Sequence, residues 1–133
     1  MKLGYACINM QLSSGSKKSR VTTNRTMIRR TFDQKGLPYV SEIVLSNVKD
    51  LNKILKWNFD NDIYFYRMSS SSFPWASEYE LDSLPDYEEI CHHLKTAGDF
   101  AKENDIRMTY HPGPFNKLCS PNERVVLNTI KDL

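Results

Sequence analysis

A chain of 133 residues has room for one domain with a modest core, and 40% apolar with 26% charged residues describes a folded globular protein, not a disordered one. No window approaches the ~18 consecutive apolar residues of a membrane span, and the opening MKLGYACINMQ is too short and too mixed for a signal peptide. The net charge of +2 is unevenly placed: Lys17, Lys18, Arg20, Arg25, Arg29, Arg30 and Lys35 face one acid, Asp33, whereas residues 78–105 hold nine acids against Lys95 and Lys102.

The first strand is expected over residues 2–10, ended by a polar loop at 13–18. The basic segment follows, with Thr23 or Asn24 as a candidate helix cap and an end near Gly36. Such a block attracts phosphates by counterion release, although a solvated surface segment has the same composition. Next, Val40, Ile43, Val44, Val48, Leu51, Ile54 and Leu55 recur, with Asn47, at three- and four-residue steps, which puts seven apolar side chains on one helix face. Residues 63–67 (IYFYR) are short, aromatic and β-branched, the pattern of a buried strand.

A long polar loop over 69–84 leads to a helix with Pro85 at or near its first position. Asp86, Glu88 and Glu89 sit where the helix dipole favours acids, and Ile90, Cys91, Leu94, Ala97 and Ala101 form an apolar face. Residues 107–110 make a third short strand. After an HPGPF turn, Ser120-Pro121-Asn122-Glu123 predicts a capping box. The apolar pattern of Val125, Val126, Ile130 and Leu133 then reaches the last residue, which leads us to expect a longer natural chain. Alternation of strand and helix argues for an α/β protein with a parallel sheet and helical crossovers. Three such units can begin either a doubly wound sheet or a TIM (β/α)8 barrel. The three cysteines, Cys7, Cys91 and Cys119, lack zinc-type spacing and are expected as reduced thiols in a cytoplasmic or nuclear protein.

Alternate strand residues face opposite sides. Tyr5, Cys7 and Asn9 therefore share one face of the first strand; in the third, Arg107, Thr109 and His111 share a face opposite Met108 and Tyr110. If helices cover Met108 and Tyr110, then Tyr5, Asn9 and His111 are expected to look into a polar interior suited to ions or water. Asn9, Ser69 and His111 fall at C-terminal strand ends, the edge where barrels and open α/β sheets place their chemistry. The adjacent His92 and His93 lie on a helix, point in two directions and read as surface.

GYACIN at 4–9, FYRMSSSSFPWAS at 65–77 and TYHPGPFNKLCSP at 109–121 resemble successive signature segments of the UV-damage endonucleases, and GLPYVSEIVLSNVKDLNKILKWN at 36–58 resembles their first barrel helix and its lead-in. The resemblance implies a (β/α)8 barrel of which residues 1–133 form a partial, truncated domain, about three of the eight units. It implies a metal-dependent DNA-repair enzyme, typically manganese-dependent, that incises UV-damaged double-stranded DNA immediately 5′ of the photoproduct. His111 matches a family metal ligand, and imidazole at a strand end suits a transition metal that activates water. Tyr5 and Asn9 match positions lining the active site beside the damaged nucleotides; the plainer alternative is that Tyr5 packs and Asn9 caps a turn. Arg67 is expected to face the lumen and meet phosphate or an acidic neighbour, and Ser69 to Ser72 offer hydroxyl donors or are simply loop.

Two positions depart from the family pattern. Pro114 stands where relatives commonly have glutamine, with Phe115 keeping only the aromatic, so lesion probing is expected to rest on wedging and stacking. Glu78 stands where relatives often have histidine, so that position either ligates manganese as a carboxylate or has lost its metal. Two other readings stay open: a barrel of the endonuclease IV or sugar-isomerase type, against which the basic segment and the SSSSFPWAS loop speak, and a non-catalytic DNA-binding module. The 133 residues alone are expected not to incise DNA, and their unpaired strand edges are expected to drive self-association.

Overall fold

The computed structural model describes residues 1–113 and 116–132. Three short strands, β1 (Gly4–Ala6), β2 (Phe65–Ser69) and β3 (Arg107–His111), form one parallel sheet in the order β1-β2-β3. Helix α1 (Arg29–Asp60) crosses from β1 to β2, α2 (Tyr87–Glu103) crosses from β2 to β3, and α3 (Glu123–Asp132) follows β3. The expected β-α-β-α-β-α order stands. No helix among the described residues is long and apolar enough to cross a membrane.

The first strand is much shorter than the expected 2–10. Cys7 adopts φ 63°, and the Ile8 N–H turns back to the Ala6 carbonyl at 2.7 Å, so the chain leaves the sheet there. Gly4 is required at its start, because a Cβ there would lie 1.8 Å from the Phe65 carbonyl oxygen.

Thr23 and Asn24 do not cap a helix. Residues 20–28 form an irregular strap, and α1 begins at Arg29 after Ile28, whose backbone is still extended. The strap's polar groups have better partners on α1: the Thr22 N–H donates to the Asp50 carboxylate at 3.1 Å, and the Arg25 guanidinium meets the same carboxylate at 2.6 Å. The helix kinks at Gly36 (φ 65°, ψ −160°), a backbone conformation that favours glycine. Pro38 then opens the long second stretch, where its missing N–H costs nothing.

The apolar stripe of α1 is buried as its spacing predicts, with Val40, Val44, Ile54 and Leu55 fully enclosed. It feeds two clusters. Val40, Val44 and Val48 pack with Met27, Tyr79, Leu84 and Ile90; Leu51, Ile54 and Leu55 pack with Tyr66, Ala97, Ala101 and Ile106. Each such aliphatic side chain contributes about 1.5–3 kcal/mol on burial. Ser41 of α1 also anchors the start of α2, its hydroxyl donating to the Asp86 carboxylate and accepting from the Asp86 N–H, both at 2.9 Å.

Tyr5, Tyr66 and Met108 lie side by side across the sheet, as do Ala6, Arg67 and Thr109. Tyr66 is completely buried in the second cluster with Tyr5 and Met108 against it, so α1 and α2 cover that face. Tyr5 therefore sits on the helix-covered face, opposite Arg67 and His111, and not in a shared interior with them. Alternation within each strand holds; the register between strands, which alternation does not fix, sets Tyr5 beside Tyr66.

Candidate functional site

The C-terminal ends of β2 and β3 open into a cleft of about 330 Å³. One wall comes from the strap, at Thr26. A second is the loop after β2, where Ser70, Ser71, Phe73 and Trp75 contribute, and a third is Tyr110 and the turn at Gly113 and Asn116. Hydroxyls, one amide and three aromatic rings thus line a common space, a combination suited to phosphate oxygens and flat rings. The serine loop is not merely slack chain. Ser69 Oγ accepts the Ser71 N–H at 3.1 Å, opening a 3-10 turn at Ser70–Ser72, and a second turn at Ala76–Glu78 follows Trp75. Trp75 itself has φ 59°, a left-handed conformation, and its indole N–H donates to the Met27 carbonyl at 3.0 Å.

His111 and Glu78 flank this cleft in the chain, next to Pro112-Gly113 and Ser77. His111 is exposed, and its Nδ1 lies 3.0 Å from the Pro112 carbonyl. A carbonyl only accepts, so Nδ1 is the donor in this contact, which leaves Nε2 as the nitrogen a metal would take, as in a metal-binding imidazole. Glu78 is differently engaged. Its carboxylate meets the Arg29 guanidinium at 3.3 Å, and that guanidinium lies over both Phe32 and Trp75, 5.4 Å from each ring centre. Among the described residues no three His, Cys, Asp or Glu side chains gather closely enough to hold a metal ion. One free imidazole fits a metal as a single ligand; this donor set does not make a complete site.

Arg67 lies on the bare face of the sheet, as expected of a lumen-facing residue. It is exposed; its carbonyl accepts the Cys7 N–H at 2.8 Å, and its side chain has no hydrogen-bond or ion-pair partner among the described residues. On the same face the Arg107 guanidinium sits 5.9 Å from the Phe65 ring centre. Pro114 and Phe115 lie outside the described residues.

Tyr5 and Asn9 belong elsewhere. The Tyr5 hydroxyl donates to Asn58 Oδ1 at 2.6 Å and accepts from Asn9 Nδ2 at 2.8 Å, while Asn9 Oδ1 accepts the Gln11 and Leu12 N–H groups at 3.1 and 2.9 Å. Burial pushes the Tyr5 phenol up, against the lowering effect of its bonds to Asn9 and Asn58, so it stays protonated and donating at neutral pH. Of the two readings, packing for Tyr5 and turn-capping for Asn9 describe these contacts. Both residues line a separate, mainly apolar groove of about 310 Å³ with Ile8, Met10, Trp57 and Ile63.

Sequence reasoning missed Thr26, Trp75, Tyr110 and Asn116 as cleft residues, although Trp75 stands within the quoted 65–77 segment and Tyr110 and Asn116 within 109–121. It also missed the buried polar residues of α1: Asn47, Asp50 and Asn58 are each 5% exposed or less. Their signal is a polar residue on an apolar helical stripe, visible at Asn47. The basic segment is partly structural, since Arg25 and Arg29 already have carboxylate partners.

The family described as UV-endonuclease UvdE matches residues 1–133. The chain is 38% identical over 132 residues to a UV-damage endonuclease of Schizosaccharomyces pombe, covering 99% of this chain and 21% of that protein. It is 33% identical over 133 residues to a UV DNA damage endonuclease of Clostridium perfringens, covering 100% of this chain and 30% of the relative. Among solved structures it resembles SacUVDE with a TM-score of 0.79 and 31% identity, over 99% of this chain and 42% of that one. The chain thus spans less than half the length of these relatives. With its parallel sheet and helical crossovers, it has the architecture of the N-terminal units of a (β/α)8 barrel.

Proposed function

The chain belongs to the UV-endonuclease UvdE family, and from that premise we propose that it is part of a DNA-repair endonuclease that incises double-stranded DNA 5′ of UV photoproducts. The observation that carries this reading is the family match across all 133 residues. The cleft at the strand ends is the place it supports for contact with DNA, because barrel enzymes work at that edge.

The metal in this proposal is divalent, manganese by resemblance, and it would supply activation of water and neutralisation of charge at the phosphate. His111 is this chain's ligand for it, held in the right tautomer by the Pro112 carbonyl. Glu78 carries a cation already, so its part is to fix Arg29 against Trp75 at the cleft wall. Ser70 and Ser71 offer donors to phosphate oxygens, and Arg67 offers a cation on the bare face for phosphate or a carboxylate. Pro114 and Phe115 engage the lesion by wedging and stacking. Tyr5 and Asn9 shape the β1 end through their mutual bond and do not exchange protons with substrate.

Because one imidazole cannot hold a hydrolytic metal cluster, the 133 residues alone do not incise. The test is nicking of UV-irradiated against undamaged plasmid with Mn²⁺ by a protein of the relatives' length. Nicking confined to irradiated plasmid is expected, and equal nicking of both would contradict the damage specificity. Among the described residues the two outer strands of the sheet, β1 and β3, also lack partners on one side. Self-association of the 133-residue chain follows from those open edges; light scattering that returns a monomer of 15.5 kDa would contradict it.

A further inference from the structure

We infer that Asn47 is a positioning residue that sets the width of the cleft, and so governs how well the cleft binds DNA; this rests on the function proposed above. Asn47 is fully buried on α1, on a stripe otherwise made of Val44, Val48 and Leu51. Its carboxamide makes three bonds, all to backbone. Oδ1 accepts the Arg25 N–H at 3.1 Å, and Nδ2 donates to the Arg25 carbonyl at 3.0 Å and to the Ser72 carbonyl at 3.1 Å.

Those two residues belong to different walls. Arg25 precedes Thr26, the strap's contribution to the cleft, and Ser72 lies between Ser71 and Phe73, which line the facing wall. One side chain thus spans the base of the cleft and ties both walls to the rigid middle of α1. Only a carboxamide does this: a carboxylate cannot donate to the two carbonyls, and an aliphatic group leaves three backbone groups unpaired. Asp50, one turn further on, grips the strap through the Thr22 N–H and the Arg25 guanidinium, pairs with Lys53 of α1 at 3.2 Å, and among the described residues makes no bond to the serine loop. Asp50 therefore provides the matched control, since it secures the same strap without fixing its distance from the other wall.

A lost brace widens the binding surface without touching the reacting groups, so it raises KM more than it lowers kcat. In a protein of the relatives' length, Asn47→Leu, and the milder Asn47→Ser, are compared with Asp50→Asn by thermal melting and by steady-state nicking of UV-irradiated duplex. The inference expects KM to rise roughly tenfold or more in the Asn47 variants with kcat held within about threefold. It also expects no comparable KM change in Asp50→Asn at an equal or larger loss of thermal stability. An equal KM rise in Asp50→Asn would mean general loosening and overturn the inference, as would a fall in kcat at constant KM. If Asn47→Leu does not fold, Asn47→Ser decides alone. Unaltered kinetics in Asn47→Ser, with normal nicking by the unsubstituted protein, overturns the inference and leaves the proposed function standing. Absence of nicking by the unsubstituted protein strikes the proposed function, and this inference with it.

Discussion

On one face of the sheet Tyr5, Tyr66 and Met108 lie in a row beneath α1 and α2; on the other, Ala6, Arg67 and Thr109 form the matching row, with no helix of the described residues over them. The covered face is chemically closed. Tyr66 is fully buried and its hydroxyl donates to the Cys7 carbonyl at 2.9 Å, while Tyr5 is bonded to Asn58 and Asn9. The bare face carries exposed Arg67, Arg107 and His111. Identical backbone therefore serves two purposes, and the difference lies in which side chains have found partners. Polar groups on the covered face serve the fold, and those on the bare face and at the strand ends are available for chemistry.

The largest expected contrast is in stability. Tyr66→Ala removes a buried ring from the second cluster and should cost about 3–5 kcal/mol in urea unfolding. A loss under about 1 kcal/mol would mean that this face is not the core.

A second contrast is in pH. Burial pushes the Tyr66 and Tyr79 phenols up to about 12 from an ordinary value of 10.0. The folded chain then keeps protons that the unfolded chain releases, so stability is complete below pH 10 and falls as pH rises from about 10 to 12. Absorbance of ionised phenol and circular dichroism followed through that range, with Tyr66→Phe and Tyr79→Phe variants to assign the signal, check this; ionisation of Tyr66 and Tyr79 themselves near pH 10 before any unfolding would break it.

Asn9→Ala removes the acceptor for the Gln11 and Leu12 N–H groups and the donor to Tyr5, with an expected cost of about 1–2 kcal/mol. A stability-neutral Asn9→Ala that abolished nicking by the longer protein would move Asn9 back among the chemical residues. The smallest effect is expected at Arg67→Met, within about 0.5 kcal/mol, because an exposed side chain without a partner has little to lose.

Much of the fold is legible in the sequence because it depends on local spacing. The α1 stripe from Val40 to Leu55, the acids at the start of α2 and the strand–helix alternation are all set by residues a few positions apart. What was not legible depends on distant partners. Thr23 and Asn24 look like helix caps until Asp50, more than 25 residues away, is seen to bond the Thr22 N–H and take the strap for itself. Tyr5 looks lumen-facing until the register places it beside Tyr66. Of the site residues, His111 and Arg67 stand where strand position puts them. The partner of Glu78, Arg29, depends on how a long loop folds back on α1.

The central proposal is that the chemistry of the whole protein uses the bare face and its strand ends, with His111 contributing a metal ligand. The most direct measurement is Mn²⁺-dependent nicking of UV-irradiated duplex by the longer protein carrying His111→Ala, alongside its melting temperature and its bound manganese. The account predicts nicking reduced by at least about a hundredfold, manganese content lowered, and the melting temperature in chelator unchanged, since an exposed imidazole supports no core. Nicking and manganese content at the unsubstituted level in a folded His111→Ala protein would contradict it.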